Sequence, residues 1–355
     1  MLKVTIIGAG NGGQAIAGHL AIRGYDVVLY CRNLNKNKIL IEKGGVRLNG
    51  VIDGFGKIRT ITDDMSVAVK DADVIMIVTT ADAHGQIGMQ MLPYLKDDQI
   101  VVLNPGRTGG AFELRKIFEQ SNIRKNIYIV EAQSLLYACR LIEPGSVQIL
   151  GVKDRVYYST YPASDCCKVG SILNELSSSF IPVNNALITS LENIGAIFHP
   201  TIVLFNACRI ERGEKFYFYN DITSHVCSVL QKVDNERIQI GAAFGLKLIS
   251  AEEWITFAYE GIEGNNFYSK MKNNPAYYKI LSPSTINSRL LTEDIPTGIL
   301  PMIEFGKVAG LSLPLMNSIY NLSSALLNKE FYSNGRTLKK LGFDNMTVSQ
   351  ILQKL

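Results

Sequence analysis

The 355-residue chain is short of the features that mark secreted, metal-binding, nucleic-acid-binding or membrane-spanning proteins. Its six cysteines (Cys31, Cys139, Cys166, Cys167, Cys208 and Cys227) include no CxxC pair and no Cys/His cluster at metal-ligand spacing. They read as reduced thiols of a cytoplasmic protein, with no metal expected. The net charge is only +4 and is spread along the chain, which argues against nucleic acid or an anionic membrane surface as partner. No window approaches the roughly 18 uninterrupted apolar residues of a membrane helix. The opening apolar run is broken at once by Gly8 and Gly10, so it reads as a buried strand rather than a signal peptide. Histidine is scarce as well: His19, His84, His199 and His225 are the full set, which leaves few candidates for proton transfer near neutral pH.

What is present is an ordinary globular composition, 47% hydrophobic, in a chain long enough for two cores. Strand signals at 4–7, 26–30, 74–78, 100–103 and 127–130 alternate with helix signals at 11–23 and 84–95. That alternation argues for a parallel sheet covered by helices. A glycine-bearing hairpin is expected at 44–60, and short strands through 160 with a helix near 167–179 would complete the first domain. Beyond about residue 185 strand signals fade, and amphipathic stretches at 187–197, 224–244, 251–259 and 314–328 predict helices. The expected fold is α/β: a Rossmann-type parallel sheet domain, 1–185, followed by a mostly α-helical domain, 186–355.

The first turn carries the clearest chemistry. Gly8-Ala9-Gly10-Asn11-Gly12-Gly13 fits GxGxxG, directly after a strand and opening a helix. Gly8 permits the tight turn, Gly10 lets backbone approach a pyrophosphate, and Gly13 allows close helix–strand packing. The helix start at Asn11 and Gly12 offers N–H groups to phosphate. At the end of the second strand the acid that usually bonds a ribose 2′-hydroxyl is missing. The chain reads Tyr30-Cys31-Arg32-Asn33, with Lys36 and Lys38 close by. A guanidinium suits a 2′-phosphate, so NADP(H) is expected over NAD(H), with Arg32 and Asn33 at that corner. The bland reading has Arg32 stacked on adenine or facing solvent. A later turn, Asn104-Pro105-Gly106-Arg107-Thr108-Gly109-Gly110, lies where open α/β sheets bind ligands, with Pro105 placed to flank the nicotinamide.

By position alone His199, next to Pro200 at the end of an apolar helix, is more often a satisfied packing residue than a proton carrier. Several motifs weigh on that choice. They are the glycine turn; Leu103-Asn104-Pro105-Gly106 with Thr108-Gly109-Gly110; and Ser190-Leu191-Glu192-Asn193 followed by His199-Pro200 and Leu204-Phe205-Asn206-Ala207. Further on come Lys232 to Arg237, Asn274-Pro275-Ala276-Tyr277, Asn287-Ser288-Arg289 with Glu293-Asp294 and Thr297-Gly298, and Gly335-Arg336-Thr337-Leu338 with Leu341-Gly342. In order and spacing they cover nearly the whole chain, which resembles the opine dehydrogenase family (octopine/nopaline dehydrogenase type).

The resemblance implies reductive condensation of an amino acid with an α-keto acid through an imine. It makes His199 and Asp294 the catalytic pair and Arg289 a clamp for a substrate carboxylate. Glu131 stands at the keto-acid side, where some relatives follow the glutamate with a threonine and this chain has Ala132; Gln133 or Ser134 could replace that hydroxyl. Arg107 stands where relatives carry smaller or neutral residues and could reach a carboxylate. Cys31 replaces an acid of some relatives. The implied partners are small molecules, and a homodimer is left open.

Two other readings stand. One is a ketone or hydroxy-acid reductase resembling glycerol-3-phosphate dehydrogenase or ketopantoate reductase; those enzymes use a lysine where this chain has Glu192. The other is a non-catalytic NADP(H)-binding sensor, which needs no His199–Asp294 pair.

Overall fold

A computed structural model describes residues 1–121 and 123–355. The chain separates into two compact units: Met1–Gly106 with Gly110–Ala186, and Leu187–Leu355 with the short excursion Arg107–Gly109.

The first unit is built on an eight-stranded sheet. Its strands are β1 (Lys3–Ile7), β2 (Asp26–Tyr30), β5 (Thr60–Thr62), β6 (Val74–Ile77), β7 (Ile100–Leu103), β8 (Tyr128–Ala132), β11 (Val156–Thr160) and β12 (Phe180–Pro182). The order is β12-β11-β8-β7-β6-β1-β2-β5, and every pairing is parallel except β11 with β8. The chain reverses direction across the sheet between β1 and β6, the switch point at which such sheets bind dinucleotides. Ile6, Val74, Met76, Val102 and Val130 are buried in the core of this unit, which explains their near-continuous apolar runs. The covering helices are α1 (Asn11–Ile22), α2 (Lys38–Lys43), α3 (Met65–Val69), α4 (His84–Met91), α5 (Gly110–Gln120) and α6 (Cys166–Leu176).

The hairpin expected at 44–60 is present as β3 (Gly45–Gly50) and β4 (Gly54–Lys57). It is half of a second sheet, β4-β3-β10-β9, in which β3 also pairs in parallel with β10 (Ser146–Val152), itself antiparallel to β9 (Tyr137–Glu143). This sheet packs on α1. Its strands come from segments about a hundred residues apart, so no local signal announces their pairing.

The second unit is helical. It holds α7 (Ala186–Leu191), α8 (Ile194–Phe205), α9 (Ala207–Glu211), α10 (Ser224–Ala243), α11 (Ala251–Ala258), α12 (Phe267–Asn273), α13 (Arg289–Thr292), α14 (Leu300–Val308), α15 (Pro314–Leu327), α16 (Leu338–Leu341) and α17 (Val348–Lys354). A π-helical turn, Ile295–Ile299, leads into α14. The helix expected to end at His199 instead runs on through Pro200 to Phe205. Proline removes one backbone bond, but Ile197, Phe198, Ile202 and Val203 are all buried, and that packing holds the helix. Among the described residues one stretch, Ala186–Phe205, is long and apolar enough by composition to cross a membrane; 78% of it is buried, as in a core helix.

One polar cluster ties these helices together. Arg237 is fully buried; its Nε donates to Asp234 Oδ1 at 2.7 Å and its Nη2 to the Ile249 carbonyl at 2.6 Å. Asp234 Oδ2 accepts the Ala251 N–H at 2.6 Å, and Glu192 Oε1 accepts the Ile249 N–H at 2.9 Å. Glu236 accepts the N–H groups of Leu315 and Met316 at the start of α15, each at 2.8 Å, a favourable place for negative charge. The segment Lys232 to Arg237 is therefore scaffold.

Burial pushes the Glu192 carboxyl up to about 7 despite its Ile249 contact and the nearby Arg237. A carboxyl raised in the folded state is most favourable to folding while protonated. Its cost grows as pH rises from the unfolded value through about 7 and is complete above that. A glutamine in its place can still accept the Ile249 N–H. Glu192→Gln should therefore stabilise the protein by about 1–3 kcal/mol at pH 8, a gain that shrinks towards zero near pH 4.5. Urea unfolding at several pH values measures this; a gain that is the same at every pH would contradict it.

Candidate active site

The glycine turn of the first unit has the shape a dinucleotide needs. Gly8 sits at φ +118°, a conformation open to glycine, and a Cβ on Gly13 would overlap the Gly8 carbonyl oxygen. Helix α1 can therefore approach β1 only through a glycine at 13. A Cβ on Gly10, by contrast, would meet nothing within 4 Å, so this backbone faces open space. Gly10 is the N-cap of α1, with no side-chain cap and no acid in the first turn, Asn11 to Gly13. The N–H groups there remain for an anionic ligand. Gly12 faces the Leu135 side chain. These residues fit a bound dinucleotide.

At the far corner Arg32 is exposed. The Asn33 carboxamide oxygen accepts the Lys36 N–H at 3.0 Å, so this side chain shapes the turn. Register places Tyr30 beside Thr62, so Asp63 follows β5 next to Cys31. The buried Cys31 thiol is pushed above its ordinary value, first by burial and then by the Asp63 carboxylate. An acid thus stands beside the end of β2, just past the neighbouring strand, a placement that inspection of the β2 end alone misses.

Pro105 follows a cis peptide at the end of β7, and the Asn104 side chain beside it is fully buried. Glu131 is also fully buried, and its Oε2 accepts the Ala111 N–H at the start of α5 at 2.9 Å. This carboxylate caps a helix within the first unit.

The second unit assembles its site from segments far apart in sequence. His199 Nδ1 lies 2.7 Å from Asp294 Oδ2, across 95 positions. Asp294 is fully buried and the imidazole is 14% exposed. Burial alone would raise the Asp294 carboxyl; Arg107 first, then His199 and Arg289, outweigh it and hold it below its ordinary value. An ionised Asp294 fixes the His199 tautomer with Nδ1–H donating and leaves Nε2 as an acceptor.

That second nitrogen lies 3.0 Å from the Tyr219 hydroxyl. Burial holds the Tyr219 phenol well above its ordinary value, so it stays neutral. Its ring stacks on Tyr277 at 4.3 Å and meets Phe218 edge-on at 5.0 Å. Sequence reasoning missed Tyr219, and nothing in Phe216-Tyr217-Phe218-Tyr219 singles out one tyrosine over the other.

Arg289 is 58% exposed and touches Glu293 Oε2 at 3.4 Å, which leaves guanidinium surface towards solvent. Arg107 is the opposite case, only 12% exposed. Its Nε lies 3.3 Å from Glu293 Oε1, and its Nη1 lies 3.5 Å from Asp294 Oδ1 and 3.4 Å from Asn193 Oδ1. The protein's own carboxylates already surround this guanidinium. Its neighbours are held as firmly. The Thr108 N–H donates to the Thr297 carbonyl at 3.1 Å and Arg336 Nη1 to the Thr108 carbonyl at 3.2 Å. Asn193 Nδ2 donates to the Thr108 hydroxyl at 3.3 Å and the Gly109 N–H to the Ser190 hydroxyl at 3.1 Å. The scattered motifs around 108, 190, 297 and 336 thus meet at one loop.

Comparison with known proteins agrees with this architecture. Residues 182–327 match the family described as NAD/NADP octopine/nopaline dehydrogenase, alpha-helical domain. Residues 3–105 match the NAD-dependent glycerol-3-phosphate dehydrogenase N-terminus. The chain is 37% identical to an opine dehydrogenase of Arthrobacter sp. (strain 1C) over 352 residues, 98% of this chain and 97% of that one. A solved octopine dehydrogenase in complex with NADH and agmatine shares the fold at TM-score 0.82 and 21% identity, covering 100% of this chain and 98% of its own. A yersinopine dehydrogenase bound to NADP+ does so at TM-score 0.72 and 14% identity, with coverage of 100% and 98%. On the full-length identity to the Arthrobacter enzyme and the matched helical domain, the chain belongs to the opine dehydrogenase family, NAD(P)-dependent oxidoreductases that reductively condense an amino acid with an α-keto acid.

Proposed function

We propose that His199 and Asp294 are the catalytic pair of this opine dehydrogenase, that Arg289 holds a substrate carboxylate, and that NADP(H) is the preferred cofactor. The observation that carries the pair is the 2.7 Å contact from a buried carboxylate to an imidazole whose other nitrogen faces the Tyr219 hydroxyl. Condensation of an ammonium group with a ketone gives an iminium ion and water; reduction at carbon then gives a secondary amine, which takes up one proton. The reduced nicotinamide supplies the hydride for that carbon. His199 carries the proton at Nε2 as general acid–base. Asp294 keeps Nδ1–H in place and steadies the imidazolium, as carboxylates do in other His–Asp pairs. The Tyr219 hydroxyl holds Nε2 until the substrate nitrogen or oxygen replaces it. Arg289, exposed beside this group, offers the planar fork that matches a carboxylate.

His199→Ala should lower kcat by about 10²–10⁴-fold. NADPH affinity should be unchanged, because the glycine turn lies in the other unit. A panel of amino acids against pyruvate, glyoxylate, oxaloacetate and 2-oxoglutarate, followed by NADPH absorbance, supplies the assay. Turnover of His199→Ala at the parent's rate would remove the assignment.

The cofactor assignment yields two further tests. Gly10→Ala adds a methyl group where the fold has space and a pyrophosphate would lie. It should leave stability within about 1 kcal/mol and weaken both cofactors at least tenfold by fluorescence titration; unaltered affinity would place the pyrophosphate elsewhere. Arg32→Ala should cost NADPH about 1.5–3 kcal/mol of binding and leave NADH alone. Asp63, beside Cys31, favours a second reading in which it bonds the ribose hydroxyls of NADH. Parent enzyme that prefers NADH, with Arg32→Ala neutral and Asp63→Asn harmful, would decide for that reading.

A further inference from the structure

We propose that Arg107 is a positioning residue that shares the charge of Asp294 with His199, so that the imidazole is not that carboxylate's sole counter-charge. Asp294 Oδ2 faces His199 and Oδ1 faces Arg107 Nη1 at 3.5 Å. Among the described residues Oδ1 accepts no hydrogen bond, so the guanidinium charge is its compensation in a site sealed from water. Two features indicate that the chain is shaped to hold Arg107 there. Its own φ is +60°, a left-handed conformation that a bulky residue rarely adopts. And Gly195, one helical turn before His199 on α8, leaves the slot: a Cβ there would lie 2.6 Å from Arg107 Nη1 and 3.2 Å from His199 Cε1.

The charges that face the pair close the argument. From the 107–109 loop comes Arg107, from α13 Arg289, from the residue after α13 Glu293, and from the segment after α9 the neutral Tyr219. With His199 neutral, two guanidinium groups balance two carboxylates, Glu293 and Asp294. Removal of Arg107 leaves one uncompensated negative charge in a buried site, and uptake of a proton by the pair neutralises it. It does not matter whether the proton settles on His199 or Asp294, because a coupled pair titrates as a unit. Arg107 therefore lowers the pH at which the pair takes up its proton, and so sets the range in which His199 can accept one from substrate.

This inference rests on His199 and Asp294 as the reactive pair, but its test needs no turnover. With only four histidines in the chain, the imidazole resonances of the 15N-labelled full-length protein can be followed against pH and the His199 signal assigned from His199→Ala. In Arg107→Met the His199 midpoint should rise by about 1–3 pH units, the usual effect of a charge within contact distance. Arg107→Lys, which keeps the charge, should restore most of the shift. Gly195→Ala, which crowds the guanidinium out of its slot, should move the midpoint in the same direction and serves as the deciding variant if Arg107→Met does not fold. The acid limb of kcat/KM for opine oxidation should move with it. A midpoint that stays or falls in these variants overturns the proposal, as does a raised keto-acid KM with an unmoved midpoint, which would make Arg107 a carboxylate ligand. A midpoint that rises as expected in a protein whose His199→Ala variant keeps the parent's rate would leave charge sharing standing and refute the catalytic assignment instead.

Discussion

A carboxylate sealed from water is the constraint around which the second unit is organised. Asp294 is fully buried, and a buried charge persists only where it is paired and hydrogen-bonded. Each neighbour answers part of that demand. Helix α8 brings His199 to Oδ2 and, one turn earlier, thins itself to a glycine so that Arg107 reaches Oδ1. Asn193, just ahead of α8, holds both Arg107 and Thr108. The π-helical turn directly after Asp294 presents the Thr297 carbonyl to Thr108. Such turns recur where a helix must offer a polar group out of regular phase. The result is a fixed imidazole with one nitrogen committed and one left for chemistry.

How much of this could be read in advance depends on how local each feature is. The glycine turn was legible because its logic lies within six consecutive residues: Gly13 is needed because of the Gly8 carbonyl, five positions away. The parallel sheet was legible for a similar reason, since buried strands write themselves as short apolar runs such as Ile100 to Leu103. The site in the second unit was not. Nothing in composition or periodicity connects positions 199 and 294, and the family resemblance alone brought them together before the fold did. Tyr219 had no signal at all, because the run from 216 to 219 repeats an aromatic pattern and only the fold selects one hydroxyl for His199.

What the sequence leaves out has a shared physical cause. Arg107 and Glu131 are charged residues beside loops at strand ends, the usual place for ligand contacts, so both read as substrate groups. The fold gives each a partner within the protein. Glu131 is drawn to the N-terminal dipole of α5 and Arg107 to two buried carboxylates. A sequence records the charge of a side chain but not the partner that will neutralise it. For the same reason Pro200 looked like a helix terminus: a single lost backbone bond is a local cost, and the compensating burial of α8 is visible only once the neighbouring helices are in place.

The same partner argument fixes what position 192 can hold. Glu192 is turned to the Ile249 N–H and lies in the field of Arg237, whose guanidinium is fully buried and directed to Asp234 and to backbone carbonyls. A lysine there would set a second cation beside the buried guanidinium of Arg237, without water to screen the two. Residues 234 to 237, with their contacts to the starts of α11 and α15, thus commit position 192 to an acid or a neutral acceptor. Seven residues further on, α8 offers His199, with a buried carboxylate to orient it and Arg107 to share that carboxylate's charge.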